Sequence, residues 1–378
     1  MKEIGMYIHI PFCAQKCLYC DFCSFSATEE MISKYIDALI KEMKIYEEKL
    51  RKCKIKSIFI GGGTPSIISI NKMDKIINGI HSNFNLKEDL EFSIESNPGT
   101  LNKEKISYYL NHNINRLSIG LQAWQDFLLK KLGRVHNSKE FVRNYLLARE
   151  IGFKNINIDI MFALPNQSIN HWQETLRNVV TLKPEHISAY SLKIEEGTVF
   201  NQLYKKGELH LPDEEKDRKM YHFTIDYLLE NGYKHYEISN FAKEGQECIH
   251  NKIYWENEEY IGLGLGAHSY LNKIRYSNTT DLKDYIENID KKNICVHKEE
   301  ISIKDEIAET MFLGLRMMKG ISIKKFTKKF GISPLKVYSN EICDLKEKGL
   351  LQVDDQVIRL TRKGIDLSNH VFVAFLLD

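Results

Sequence analysis

Three cysteines near the beginning of the chain constrain it more than any other feature. Cys13, Cys17 and Cys20 follow one another in the spacing CxxxCxxC, within the segment Tyr7 to Phe25. Thiolates at this spacing can bind three irons of a cubane [4Fe–4S] cluster and leave the fourth iron open. The pattern therefore predicts an iron–sulfur cluster with a place for a reacting ligand.

Close cysteines also occur in structural zinc sites and in disulfide frameworks. Zinc sites usually draw four ligands from two separated pairs, and the sequence has no second, separated CxxC or HxxxH pair. Cys23 could supply a fourth thiolate, but four ligands from one loop are unusual. The other cysteines are spread singly and no secretory signal is recognisable, so we expect a reducing compartment and no disulfides.

The composition is that of an ordinary globular protein. Of 378 residues, 43% are apolar, which is enough for one large domain and one or two smaller ones. The 53 basic and 51 acidic residues nearly balance, so no nucleic-acid partner is expected. No apolar segment is long enough to span a membrane, and we expect a cytoplasmic protein. Peripheral membrane contact and a homodimer are both compatible with the sequence.

Short β-branched segments alternate with amphipathic helical segments through the first half of the chain. Six strands are predicted, at 6–10, 56–60, 90–94, 116–119, 157–161 and 186–192, and their mostly apolar character is typical of buried parallel strands. The clearest helix, Glu29 to Cys53, has apolar residues at three- and four-residue steps. The fold class predicted for this half is α/β, a partial TIM-like (β/α)6 barrel that is open on one side.

Unusual residues cluster where the predicted strands end, which is the working face of a βα barrel. Strand one leads into the cysteine loop, strand two into GGGTP at 61–65, and strand three into ESNP at 95–98. Glycines let a ligand approach the backbone, although the same segment also suits a tight turn. Carboxylates at strand ends are often helix caps or ion-pair partners. Taken alone, these residues leave both roles open.

Several motifs together resemble those of the radical S-adenosylmethionine (SAM) superfamily. YIHIPFC, KCLYCDF, SIESNPGT, RLSIGLQ, LGRVH and IDIMFALP are similar to segments of the branch that contains oxygen-independent coproporphyrinogen III dehydrogenase and the HemW-type heme chaperones. By that resemblance Cys13, Cys17 and Cys20 bind the cluster, and the SAM ligands are Tyr7, Tyr19, Gly62, Gly63, Thr64, Glu95, Gln122, Arg134 and Asp159. The chemistry implied is cleavage of SAM at the open iron to a 5′-deoxyadenosyl radical, with an electron donor as partner.

A second region begins after about residue 200, where the pattern becomes more polar. Its most distinctive segment is HNKIYW, residues 250–255. A histidine beside a tryptophan is more often structural than a ligand. However, HNxxYW is similar to the segment through which HemW-type chaperones are thought to hold heme. The resemblance makes His250 the candidate axial ligand to heme iron, and Cys248 a weaker one.

From about residue 300 the sequence predicts helices followed by a hairpin. The helices are expected at 305–318, 323–330 and 333–348, and the strands at 350–353 and 357–360, which together indicate a winged-helix-like domain. Because the chain is not basic overall, a protein-contact or lid role is favoured over DNA binding. The predicted domains are therefore a barrel at 1–200, an α+β extension at 201–299 and the winged-helix-like domain at 300–378.

Three functions are compatible with these features. The first is a heme chaperone that binds a [4Fe–4S] cluster, SAM and heme and delivers heme to acceptor proteins such as respiratory enzymes. The second is the oxygen-independent coproporphyrinogen III oxidase, or dehydrogenase, of porphyrin biosynthesis. That enzyme family carries a further cysteine where this chain has Phe22, and a longer segment ahead of the cluster, so the chaperone is favoured. The third, a winged-helix regulator with a sensing cluster, is supported by the C-terminal domain alone.

Overall fold

Six parallel strands in sequential order form the centre of a 12-stranded sheet in the computed structural model, which describes residues 1–376. The strands are β1 (Lys2–Ile10), β2 (Cys53–Gly62), β3 (Leu86–Ser96), β4 (Arg116–Gln122), β5 (Asn155–Phe162) and β6 (His186–Ser191). The connecting helices are α1 (Glu29–Leu50), α2 (Ile70–Asn83), α3 (Lys103–Asn111), α4 (Asp126–Lys131), α5 (Ser138–Ile151) and α6 (Ile169–Thr181). This is the predicted α/β fold, a partial (β/α)6 barrel, which is confirmed.

The boundaries of the predicted elements shift by a few residues. All six predicted strands are present, and β1 to β3 begin earlier than expected. The helix predicted over 29–53 ends at Leu50, because Cys53 already begins β2. Its first turn is capped by Thr28, whose side chain accepts a hydrogen bond from the backbone N–H of Met31. None of the helices formed by residues 1–376 is long and apolar enough to cross a membrane.

The barrel strands are apolar on one face only. On the outer face, residues such as Ile58, Ile60 and Ile94 are fully buried beneath the helices. The alternate residues on the inner face are mostly polar and also buried: Ser57, Glu91, Ser93, Arg116, Ser118, Asn157, His186. The expectation of mostly apolar strands is therefore wrong for the inner face, because that face carries polar side chains and part of it lines a cavity.

The region after residue 200 extends the same sheet at both edges. Its helices are α7 (Val199–Lys205), α8 (Glu214–Glu230), α9 (Ile249–Trp255) and α10 (Leu282–Asn288), and its strands are β7 (Lys234–Glu237), β8 (Asn240–Ala242), β9 (Tyr260–Leu263), β10 (His268–Leu271), β11 (Ile274–Asn278) and β12 (Cys295–Glu300). β8 pairs with β6 at one edge of the barrel, and β9 pairs with β1 at the other. The chain that contains α9 therefore crosses from one edge to the other. A domain boundary at residue 200 stays a prediction.

The C-terminal region has its own hydrophobic cluster around a three-stranded sheet. Its elements are α11 (Ile303–Gly314), β13 (Ile321–Ser322), α12 (Ile323–Phe330), α13 (Pro334–Val337), α14 (Ser339–Glu347), β14 (Leu351–Val353), β15 (Val357–Leu360), α15 (Arg362–Asp366) and α16 (Ser368–Val373). The winged-helix-like arrangement is confirmed. The prediction of one helix over 333–348 is wrong, because the chain breaks at Tyr338, which is fully buried and donates its hydroxyl to the carbonyl of Phe375.

One buried carboxylate ties α1 to the extension. Glu42 accepts hydrogen bonds from the backbone N–H of Gly264 (2.7 Å), from Asn278 Nδ2 (2.7 Å) and from the Tyr285 hydroxyl (2.5 Å). Burial raises the pKa of Glu42 to about 7, although these three donors favour the carboxylate. Gly264 has a φ of +101°, and a Cβ there would lie 2.4 Å from the Tyr35 hydroxyl. The loop that carries Gly264 is thus fixed against α1.

Replacing Glu42 with alanine should lower the free energy of unfolding by about 3 kcal/mol, since three buried donors would lose their acceptor. The measurement is urea unfolding of cluster-free protein at pH 8, where the wild-type carboxyl is ionised. Glu47, exposed on the same helix, supplies the control, and Glu47→Ala should change stability by less than about 0.5 kcal/mol. Equal effects of the two substitutions would contradict the proposed importance of the buried contacts.

Candidate functional site

A cavity of about 580 Å³ begins at the carboxyl ends of the barrel strands and continues into the barrel. Its wall contains every residue that the sequence assigned to the cluster and to SAM except Tyr7: Cys13, Cys17, Tyr19, Cys20, Gly62, Gly63, Thr64, Glu95, Gln122, Arg134, Asp159. The fold thus brings together residues from five strands and their loops, which lie far apart in the sequence. Another cavity, of about 760 Å³ near Asn85 and Asn115, contains none of these residues.

The three cysteines lie half-buried on the loop that follows β1. Thr64 Oγ1 donates to Cys13 Sγ (3.6 Å), and Arg134 Nη1 donates to Cys17 Sγ (3.5 Å). Burial raises the pKa of the Cys13 and Cys20 thiols. Within residues 1–376, no three His, Cys, Asp or Glu side chains converge on a single metal ion. Three separate thiols with hydrogen-bond donors nearby fit a cluster, in which each sulfur binds a different iron.

The glycine loop after β2 packs directly against the cysteine loop. A Cβ on Gly63 would lie 2.7 Å from the carbonyl oxygen of Phe12 and 2.9 Å from Cys13 Sγ, so only glycine fits there. Gly62 has a φ of +114°, and its backbone N–H donates to Glu95 Oε2 (3.0 Å). The glycines are therefore needed to bring the two loops into contact, whichever ligand the cavity receives.

Arg134 connects three parts of the site. It follows α4, a helix that the sequence did not predict, and its Nη2 donates to the carbonyl of Gly120 (2.7 Å) and to Asn97 Oδ1. Burial acts to lower the pKa of Arg134, but the nearby Tyr19 and Cys17 raise it above its ordinary value. The guanidinium is thus a fixed positive charge beside the cysteine sulfurs.

Two half-buried carboxylates, Glu95 and Asp159, face the cavity from β3 and β5. Burial, and then the charge of Asp159, raises the pKa of Glu95 to about 8. Burial also raises the pKa of Asp159, against hydrogen bonds from Ser118 Oγ and Asn157 Nδ2 (both 2.9 Å). A cationic group in the cavity would favour the ionised form of both carboxyls. This part of the site therefore suits a positively charged ligand such as a sulfonium.

Tyr7 and Cys23 lie outside the cavity wall. The Tyr7 hydroxyl is 2.9 Å from His9 Nδ1, and His9 Nε2 is 2.8 Å from the carbonyl oxygen of Cys23. The Cys23 thiol lies 3.9 Å from the carbonyl oxygen of Thr280, on the side of the extension. A contact between Tyr7 and SAM stays a prediction, and Cys23 is separated from the three cysteines that line the cavity.

His250 is sealed inside the protein, with 1% of its surface exposed. Its Nδ1 is 2.9 Å from Ser57 Oγ, its Nε2 is 2.9 Å from the Tyr254 hydroxyl, and its ring stacks on Phe59. Burial lowers the pKa of His250 to about 3, so the imidazole is neutral. Both ring nitrogens therefore have partners, and neither is free to bind iron in this conformation.

Sequence reasoning missed the residues that anchor the HNxxYW segment. Glu91 on β3 accepts hydrogen bonds from the backbone N–H groups of Ile249 (2.8 Å) and His250 (3.0 Å) and lies 3.4 Å from Cys248 Sγ. It thereby fixes the first turn of α9 against the inner face of the barrel. Asn251, the next residue of α9, lines the barrel cavity. The signal was present in the polar–apolar alternation of DLEFSIES, which places Glu91 on the inner face.

The other end of α9 borders a different and more apolar cavity from the two described above. Trp255 lines this space of about 540 Å³ together with residues of the C-terminal domain, including Met317, Phe326 and the exposed Lys325. The guanidinium of Arg316 lies 4.3 Å from the centre of the Trp255 ring. The HNxxYW segment thus reaches two cavities, through Asn251 and Trp255, while its histidine reaches neither.

Known proteins match the chain over nearly its whole length. Residues 7–179 match the radical SAM superfamily, and residues 301–367 match the HemN C-terminal domain. The heme chaperone HemW of Bacillus subtilis (strain 168) is 41% identical over 372 residues, 98% of each chain, and that of Lactococcus lactis is 40% identical, over 100% of this chain and 98% of its own. The structure of coproporphyrinogen III oxidase (HemN) from Escherichia coli, a radical SAM enzyme, shows the same fold with a TM-score of 0.87. The match covers 99% of this chain and 90% of that one, at 22% sequence identity.

The ring of His250 should stay neutral as the pH falls from 8 to 5, because burial, and then the charge of Arg116, lowers its pKa to about 3. Imidazole ¹⁵N NMR measures this directly, with the His250 signals assigned by their loss in His250→Gln. Exposed histidines that titrate in the same spectra are the internal control. A midpoint near the ordinary value of about 6.5 would show that the ring is accessible, contrary to the structure.

Proposed function

The chain belongs to the HemW family of the radical SAM superfamily, and on that premise we propose that it binds a [4Fe–4S] cluster, SAM and heme and delivers heme to acceptor proteins such as respiratory enzymes. The observation that carries most weight is the barrel cavity, which combines three thiols, a glycine loop and two half-buried carboxylates. Relatives named heme chaperone HemW are 40% and 41% identical to this chain over nearly its full length. The likeness to coproporphyrinogen III oxidase, at 22% identity, supports the fold alone.

The residues of the cavity fit the cluster and SAM in their donor chemistry. Cys13, Cys17 and Cys20 would hold the cluster, which, when bound, supplies the electron that cleaves the sulfonium bond of SAM. Arg134 provides positive charge and a hydrogen bond beside the sulfurs. Glu95 on β3 provides a carboxyl that a cationic ligand would ionise.

Cluster binding should depend on Cys17 and not on Cys23. After anaerobic reconstitution, Cys17→Ala is expected to lose most of its bound iron and sulfide, because one of three cluster ligands is gone. Cys23→Ala is the matched control, since its thiol lies outside the cavity, and it should retain wild-type iron and sulfide. Iron and sulfide are measured per protein chain. A fall of equal size in both variants would contradict the three-cysteine assignment.

Heme binding through His250 would need a local rearrangement. The neutral imidazole is in the correct protonation state for an iron ligand, and at ordinary pH no proton competes for it. Iron could replace only one of its two present partners, Ser57 or Tyr254. The contact with Tyr254 lies within the same short helix, so Nε2 can be freed without breaking the bond between Nδ1 and Ser57 on the barrel. The role of His250 as axial ligand is thus proposed with Nε2 as the coordinating atom.

His250→Ala should weaken the Soret band of heme bound to the reconstituted protein and raise the dissociation constant by about 10-fold or more, the scale expected for losing a ligand contact. Cys248→Ala is the control, because this neighbouring buried thiol is bonded to Glu91 and is not expected to bind iron. Absorption titration with hemin measures both variants. An unchanged band and affinity in His250→Ala would rule out the histidine as the ligand.

A further inference from the structure

Arg116 is a buried cation that lacks a hydrogen-bonding partner. Only 2% of its surface is exposed, and it lines the barrel cavity from the inner face of β4. Its Nε is buried without a partner, and within residues 1–376 no group forms a hydrogen bond or an ion pair with the guanidinium. Buried arginines are normally paired, because desolvating an unpaired charge is costly. The side chain therefore points to an acceptor that is not part of the chain.

The carboxylates nearest to Arg116 are already engaged elsewhere. Glu91 accepts the first backbone N–H groups of α9, and Asp159 accepts from Ser118 and Asn157. Glu95 accepts from the backbone N–H of a glycine in the loop after β2. Their charges stabilise the Arg116 cation from a distance, but none of these carboxylates accepts a hydrogen bond from it. The charge of the guanidinium is therefore balanced within the protein, while its hydrogen-bond donors are left unsatisfied.

The position of Arg116 on its strand separates it from the cysteine loop. Arg116 is the first residue of β4 and Gln122 is the last, and both line the same cavity. Six residues of parallel strand span about 20 Å, so the cavity extends along the barrel well beyond the cysteine loop. Asn251 of α9 also lines the cavity, and its side-chain amide has no hydrogen-bond partner among the described residues. The two side chains supply unpaired donors away from the cluster end.

We propose that Arg116, assisted by Asn251, forms a carboxylate-binding subsite in the barrel cavity that receives a propionate group of the heme cargo. The subsite rests on the proposed function, because heme is the ligand that brings the carboxylate. A guanidinium matches a carboxylate with two parallel hydrogen bonds, and the pairing is strongest away from water. His250 contacts Ser57 of β2 and Glu91 of β3, and Arg116 lies on the adjacent strand β4, opposite Ser93 and two positions along from Glu91. Once the rearrangement proposed for His250 frees its Nε2, one heme can contact both residues.

Hemin and its dimethyl ester separate the propionate contact from all other heme contacts. Both ligands are titrated into cluster-loaded wild-type protein, Arg116→Met and Arg116→Lys. The wild type should bind hemin about 10-fold or more tightly than the ester, the scale of a hydrogen bond to a charged group. Arg116→Met should bind both ligands equally, at the affinity of the wild type for the ester. Arg116→Lys should keep part of the preference, since it retains the charge but not the paired donors.

Lys325→Met is the matched control, because this exposed lysine borders the other cavity reached by α9. Lys325→Met should keep the wild-type preference for hemin over the ester. If Lys325→Met loses that preference and Arg116→Met keeps it, the propionate binds in the cavity beside Lys325 and the proposed subsite is wrong. A full preference in both Arg116 variants would also overturn it. Bound iron and circular dichroism verify folding, and Arg116→Lys carries the test if Arg116→Met does not fold. If the wild type binds neither ligand, the heme-chaperone proposal itself fails. If the wild type binds both ligands equally, only the propionate subsite fails.

Discussion

The buried inner face of the barrel is polar, and the rest of the structure depends on how those polar groups find partners. A buried donor or acceptor without a partner is costly, so each of them must bond a neighbour, a neighbouring segment or a ligand. Asn157 bonds both Ser118 and His186 across three adjacent strands. Glu91 instead bonds the start of α9, which draws the HNxxYW helix into the barrel. Arg116 is left without a partner and faces the cavity, so this part of the barrel holds a site and not a hydrocarbon core.

The sequence was sufficient for the barrel and for most of the site. Strand order followed from alternating strands and helices, and the functional residues followed from their positions at strand ends, because the carboxyl ends of parallel strands meet at one edge. The polar inner face was missed because the strands were judged by their apolar content alone. That content does not distinguish a strand that is apolar on both faces from a strand in which polar and apolar residues alternate. Stretches such as RLSIGLQ alternate visibly, with Arg116 and Ser118 on one face and Leu117 and Ile119 on the other.

Other features could not be predicted because they depend on contacts between distant segments. Most strands of the extension are three to five residues long, and two of them, β8 and β9, pair with the barrel edges across long stretches of sequence. The break at Tyr338 requires the carbonyl of Phe375, which no local pattern reveals. The environment of His250 is formed by Ser57 on β2 and by Tyr254 on its own helix. The motif identified the histidine, but only the fold showed that both of its nitrogens are occupied.

The segment between β8 and β9 links the two edges of the open barrel. β8 is bonded to the last barrel strand and β9 to the first, so the two edges of the opening are linked by a single stretch of chain. The width of the opening is thereby limited by the path of that stretch, which includes α9. A displacement of α9 has to be absorbed at one edge or the other. The helix that carries HNxxYW thus lies within the segment that links the first and last strands of the barrel directly from edge to edge.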